Sequence, residues 1–320
     1  GKATFPGNTN ITFKGLFKNN FSIFEGGSSL ESENIRDFYR WLSSDLNKIS
    51  DTRLKKARIT SEVVFRKGGA TFAGISGKID SSNINGEVRL RFGEVTSAFA
   101  NLKIDSLNLD PYLDKNENSE DNDLNKIDLL NFDLINFDIQ LENLLMFKNK
   151  YSDIIFKNTY KNNIFIIDQL DILDFAGGEL KVTGEINYEN KDAIYDISVG
   201  LDHKDFSKVH YIFDLPKVLE DFVVNEGSLK ISSSGSLSKL KNQIQFENFN
   251  SKINYTGLVE LDNYLISGFK GNLEISANNL QDILNISEEG ETIFISEIEK
   301  KKNVLSLENI TVNNSNYKYA

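Results

Sequence analysis

Residues 102–113 read LKIDSLNLDPYL, and the way this stretch folds decides the architecture of the chain. Its first half is a strand. Apolar Leu102 and Ile104 alternate with Lys103 and Asp105, the two-residue period of a sheet with one face buried. The second half changes character: Asp110 suits a helix N-cap, and Pro111 suits the first helical position, where no N–H is needed. The same strand-then-capped-helix pattern returns at 30–42 (LESENIRDFYRWL), 199–209 (VGLDHKDFSKV) and 273–284 (LEISANNLQDIL), with Asn34, Asp205 and Asn279 as the expected caps. The chain therefore reads as degenerate modules of strands, each closed by a short helix, spaced too widely for a short-repeat solenoid.

Outward from that stretch, residues 1–32 alternate, with Ile11 and Phe13 set against Thr12 and Lys14, and with Gly15 and the Gly26-Gly27 pair as expected turn positions. An amphipathic helix is predicted over 34–46, carrying Ile35, Phe38, Trp41, Leu42 and Leu46 at helical spacing, with Trp41 as its core anchor. From 58 to 104 strands and turns follow, broken at Gly68-Gly69 and at Asn85-Gly86, the latter a strong hairpin signal. Connections this short predict an antiparallel meander. Residues 114–128, DKNENSEDNDLNKID, are acidic and poor in apolar groups, and read as a mobile linker. Their opening resembles a calcium loop at Asp114, Asn116 and Asn118, but Ser119 replaces the turn glycine and Asn125 stands where a bidentate Glu is required. Strands resume to the C-terminus, with a short helix expected near 217–222 and a hairpin at 268–271. The expected organisation is thus N-terminal β-modules over 1–113, the linker over 114–128, and further modules over 129–320. The fold class is mainly β: repeated antiparallel modules forming a long curved sheet with short capping helices.

Composition narrows the chemistry. A formal charge of −11 weighs against nucleic acid, whose binding rests on Lys and Arg neutralising phosphates, and disfavours flat electrostatic adhesion to an anionic leaflet. The absence of cysteine excludes disulfides and thiolate metal sites. Two histidines, His203 and His210, stand without HExxH spacing, and no GxSxG, GxxxxGK[ST] or GxGxxG motif occurs. Most of the 47 carboxylates occupy the polar half of alternating strands, where solvation accounts for them. The expectation is a protein without catalytic, cofactor or metal residues. No run approaches the roughly 18 consecutive apolar residues that span a bilayer. The chain opens on Gly1 and its one methionine is Met146, so a segment of a longer protein is expected.

The order of segments resembles the AsmA-like family of bacterial envelope proteins, relatives of the TamB and bridge-like lipid transfer proteins. The resemblance is carried by GSSLESENIRDFYRWL (27–42), ATFAGISGKIDSSNINGEVRLRF (70–92), the closure LKIDSLNLDPYL, then IDLLNFDLINFDIQLENLLM (127–146) and DILDFAGGELKVTGEINY (171–188), and it covers most of residues 1–284. It implies a periplasmic protein anchored in the inner membrane by a helix absent from this chain. It also implies a sheet curled into a taco-like apolar groove that handles phospholipid acyl chains in outer-membrane homeostasis and assembly, with envelope proteins as partners at the ends. The residues read as facing inward are Ile11, Phe13, Val88, Leu90, Leu102 and Ile104, and further along Ile197, Val199, Leu201, Leu229, Ile231, Leu273 and Ile275. Two other classes stay open: an adhesive or structural envelope domain binding protein or glycan, and a carbohydrate-active enzyme, which needs two carboxylates about 5 to 10 Å apart.

Overall fold

The structure, a computed structural model, describes residues 1–42, 53–110, 132–146, 148–189, 192–208, 225–236, 238–249, 251–262, 265–277, 292–301, 304–314 and 317–319. The protein is mainly β and mostly antiparallel. It divides into two compact units, Gly1–Asn162 and Asn163–Ala320.

Unit 1 holds β1 (Lys2–Phe5), β2 (Thr9–Lys18), β3 (Ile23–Ser32), α1 (Ile35–Leu42), β4 (Ala57–Arg66), β5 (Gly69–Ile79), β6 (Ser82–Arg91), β7 (Ser97–Asn108), β8 (Leu134–Met146) and β9 (Asn149–Lys161). Each strand pairs with the next in sequence, and among the described residues β1 does not pair back onto β9, so the sheet is open. Unit 2 repeats the plan. It runs β10 (Ile164–Phe175), β11 (Gly178–Asn187), β12 (Ile194–His203), a 3-10 turn at Phe206–Lys208, β13 (Gly227–Ser236), β14 (Lys239–Asn248), β15 (Ser251–Asp262), β16 (Leu265–Ala277), β17 (Thr292–Lys301), β18 (Val304–Asn314) and β19 (Tyr317–Tyr319). These too pair in sequence order, all antiparallel.

One joint departs from the meander. β7 and β8 run parallel, with Ala98 opposite Ile135 and Leu102 opposite Ile139. A parallel pair needs a crossover of a dozen or more residues, and the stretch from 109 to 133 is long enough to supply it. Composition marks this stretch as a break but carries no sign that the strands beside it run the same way.

Four glycine sites expected to turn the chain lie inside strands. Gly15 and Gly26 face each other across β2 and β3, where a Cβ on either would come within 2.6 Å of the other's Cα. Gly86, expected to turn a hairpin, sits mid-β6 at φ +146, opposite a bulge between Phe72 and Ile75 of β5. The β5–β6 reversal is made instead at Asp80, whose φ is +51. The segment Gly268–Phe269–Lys270–Gly271 likewise lies within β16. Gly68 does turn the chain as read, at φ +81, and Gly177 turns it between β10 and β11 at +96.

The helix α1 forms within the predicted span; residues 43–46 of that span lie outside the described residues. Two expectations about it are corrected. Asn34 does not cap through its side-chain oxygen. Its Nδ2 donates to Asp37 Oδ2 at 2.6 Å, and its Oδ1 is buried without a partner. Trp41 is not a core anchor: it is 58% exposed, lying against Phe5 and Phe38 with ring centroids at 5.2 and 6.1 Å. The helix is amphipathic as read, but among the described residues nothing covers the indole on the side away from Phe5 and Phe38, and it stays largely exposed. Asp205 behaves as expected, taking the N–H of Ser207 at 3.1 Å to cap the 3-10 turn. The other expected closures, from Pro111, at 217–222 and at Asn279, fall outside the described residues, as do the acidic stretch 114–128 and His210. Asp110 itself accepts the backbone N–H of Lys148 at 3.1 Å.

Candidate functional site

Because paired residues in a sheet point to the same side, the register sorts every side chain onto one of two faces. In unit 1 one face is apolar from row to row. A row runs Phe24, Phe65, Ala70, Leu90, Ala98, Ile135 and Tyr160 from β3 to β9. The next apolar row runs Val63, Phe72, Val88, Ala100, Phe137 and Asn158. Leu102 and Ile104 extend it through Ile139 and Leu141, while Ile11 and Phe13 enter from β2 opposite Leu30 and Ser28. All six inward candidates of this unit therefore lie on one face, and all six are half-buried.

Unit 2 is more regular. Leu201, Leu229 and Ile275 belong to a single row, Ile172–Leu180–Leu201–Leu229–Phe246–Ile253–Ile275–Phe294. Val199, Ile231 and Leu273 share the next row with Val182, Ile244 and Tyr255, and Ile197 lies one row further. Burial falls across these rows. Leu201, Leu229, Leu273 and Ile275 are buried, while Ile197, Val199 and Ile231 are half-buried. The cover over the first row is Phe206, itself 1% exposed, whose ring meets Phe246 at 5.0 Å and His203 at 5.9 Å. In unit 1, α1 stands at the corresponding position, with Phe38 against Phe5 at 5.3 Å. Each apolar face is thus covered at one strand end by the chain's own aromatic residues, and along the rest of it buried side chains such as Val63, Ile135 and Leu240 stand among half-buried ones.

Polar side chains on these faces pair with one another across strands. Thr9 bonds Ser32 at 2.6 Å, Ser28 bonds Ser61 at 2.7 Å, and Ser233 donates to Asn242. Asn158 breaks the pattern: it is buried opposite Phe137 with neither side-chain atom hydrogen-bonded, a feature no local sequence signal announces. His203 is structural. Its Nδ1 accepts the N–H of Asp205 at 2.9 Å, which leaves Nε2 as the donor to Ala176 O at 2.9 Å.

Tyr255 lies along the apolar face over two glycines. A Cβ on Gly257 would come within 2.4 Å of its hydroxyl, and one on Gly271 within 2.9 Å of its ring. Its hydroxyl donates to Leu258 O at 3.0 Å. Burial pushes the phenol up to about 12, against a smaller downward pull from the Lys270 backbone. The folded chain therefore holds this proton where the unfolded chain, near 10, releases it. Stability from this group is intact below pH 10 and falls as pH rises to 12, by on the order of 2 kcal/mol. Chemical denaturation at pH 9 and 11.5 should show a smaller alkaline loss in Tyr255→Phe than in the parent; equal losses would refute the assignment.

The opposite faces are charged. In unit 1 an open cleft of about 700 Å³ is bordered by Glu31, Arg58, Lys78 and Asp80. Its polar groups serve the fold: Arg58 donates twice to Glu31 at 2.8 and 2.9 Å, and Asp80 accepts the backbone N–H groups of Leu54, Lys55 and Lys56 at 2.8 to 3.0 Å. Among the described residues no group of three or more His, Asp or Glu stands where it could hold a metal ion. No described helix is long and apolar enough to cross a membrane. Comparison with protein-family models, with curated proteins and with solved structures finds no match to this chain.

Proposed function

We propose that this chain is a non-enzymatic lipid-handling segment that holds phospholipid acyl chains on the apolar faces of its open sheets. The supporting observation is the register itself. It gathers alternating apolar residues from successive strands into rows on one face, and leaves many of them half-exposed. A second sheet packed on that face would bury them; within each unit, among the described residues, substantial contacts between strands are confined to sequence neighbours. Each acyl methylene moved from water to such a surface gains roughly 0.8 kcal/mol, so a lipid needs no specific polar contact to be held. The resemblance of residues 1–284 to AsmA-like envelope proteins supports the same reading. On this reading the protein works in the periplasm, anchored to the inner membrane in its full-length form, in outer-membrane lipid homeostasis.

Lipid extraction and native mass spectrometry of the gently purified chain test this. Co-purifying phospholipid, or uptake of a fluorescent phospholipid, is the expected result, and Leu102→Asp with Ile104→Asp should reduce uptake at least tenfold while circular dichroism stays β. The milder pair Ile11→Ser with Phe13→Ser serves if the first does not fold. A parent chain that carries and takes up no lipid overturns the proposal and leaves a dry adhesive surface as the better account.

A further inference from the structure

One strand end of unit 1 groups large exposed apolar side chains with cations. The β2–β3 turn, the β4–β5 turn and the β6–β7 connection all emerge there, because Ile23, Arg66, Gly69, Arg91 and Ser97 share the terminal row. The first tip exposes Leu16, Phe17 and Phe21, with Phe21 81% and Leu16 71% accessible. The third exposes Phe92 and Val95. Between them stand Arg66 and Lys67 of the second tip and Arg91 at the end of β6, all exposed. Apolar, basic, apolar: the three tips lie along a line about 25 Å long, five strand spacings from β2 to β7.

Scattered exposed hydrophobics are ordinary, but large ones projecting from neighbouring loop tips are not. Phe17 and Phe21 touch each other, with ring centroids at 5.5 Å, and Phe17 reaches Phe24 at 5.2 Å, so the tip is held in place by the aromatic row behind it. The charge is equally local. The chain as a whole is −11, yet the centre of this rim carries three cations. The flanking acids are engaged: Glu25 accepts from Lys18, which holds its carboxyl below the ordinary range, and Asp133 accepts from Thr96, with the same effect. Glu94 is the remaining acid of the β6–β7 connection.

We propose that this rim docks on an anionic phospholipid bilayer, with Phe17, Phe21 and Phe92 entering the headgroup–acyl boundary and Arg66, Lys67 and Arg91 lying against lipid phosphates. Aromatic rings favour that boundary, and basic residues near an anionic surface each strengthen attachment roughly fivefold. A protein groove would ask for a concave counterpart to a continuous patch; two apolar tips separated by cations match a layered surface that is charged outside and apolar beneath. The inference stands on the rim alone and does not need the sheet face to hold lipid.

The test is co-flotation of the full chain with vesicles of phosphatidylcholine containing 30% phosphatidylglycerol, and with pure phosphatidylcholine vesicles. The expected result is capture by the anionic vesicles, weakened by 0.5 M salt, with little capture by the neutral ones. Arg66→Glu with Lys67→Glu, and separately Phe17→Ser with Phe21→Ser, should each lower capture more than tenfold. Phe21→Trp in a Trp41→Phe background gives a second readout that leaves the fold intact: the indole emission should move to the blue with anionic vesicles and be quenched by lipids labelled at shallow depth. No capture by anionic vesicles, capture indifferent to both pairs of substitutions, or an indole emission that does not shift overturns the proposal. Co-purified lipid without capture would spare the acyl-holding face and remove the docking rim; capture without co-purified lipid would do the reverse.

Discussion

Replacing Gly86 by valine is expected to separate β6 from β7 and to cost unit 1 at least about 3 kcal/mol of stability. Gly86 sits at φ +146, a backbone region that a β-branched residue essentially never enters. A Cβ there would lie 2.0 Å from the carbonyl oxygen of Asn101, a backbone atom held in the ladder with no rotamer to escape into. The strand must therefore shift or break its pairing from Ile84 to Val88. Gly93→Ala is the control, since nothing lies within 4 Å of a Cβ there, and it should change stability by less than about 0.5 kcal/mol. Denaturant midpoints for the two variants decide the matter, and amide exchange should report lost protection in β6 and β7 only for the first. A Gly86→Val midpoint as close to the parent as that of Gly93→Ala would show that the bulge absorbs the side chain. Gly184 of β11 is built the same way, at φ +144 with 2.1 Å to Asp196 O and a bulge in β10 opposite, so the device is used in both units.

The second large effect is expected at Phe206. Truncation to alanine removes a fully buried ring from between His203 and Phe246, over the row that contains Leu201 and Leu229. The transfer cost and the cavity together come to about 3 to 5 kcal/mol. The substitution should lower the unfolding midpoint of unit 2 strongly with little change in the slope. It should also increase uptake of an environment-sensitive apolar dye, because the cover over one end of the apolar face is gone. A loss below about 1 kcal/mol would mean that the face is sealed by something other than this ring.

Much of the fold is legible from alternation alone. In the stretch from Ile194 to His203 the odd-numbered positions are apolar or aromatic until His203, and the register puts them on one face as read. What alternation cannot reveal is what a glycine is for. Asn85-Gly86 and the glycines at 15, 26 and 268–271 have the composition of turns, but the same freedom of φ and lack of a Cβ serve bulges and close strand approach inside a strand. The parallel joint is invisible for a different reason: strand direction depends on where a connection returns, which no local pattern records. The rim at Leu16, Phe17, Phe21, Phe92 and Val95 escapes a linear reading because its two apolar tips are about 70 positions apart in sequence and meet only through the register. The faces are legible; the ends of the strands are not.

That parallel joint also governs parity. In an unbroken meander each reversal emerges at the end opposite the last, so odd and even connections never share an end. Up to β7 unit 1 obeys this, and the reversals after β2, β4 and β6 come out together at the rim. Because β8 starts beside the N-terminal end of β7 rather than doubling back beside its C-terminal end, the count is reset, and the β8–β9 reversal between Met146 and Asn149 comes out away from the rim. Inserting or deleting a single hairpin elsewhere would preserve the assignment of loops to ends, whereas one crossover exchanges it for every strand that follows. A chain of this kind can lengthen by whole hairpins without altering which loops face a surface, and needs only one long connection to change them all.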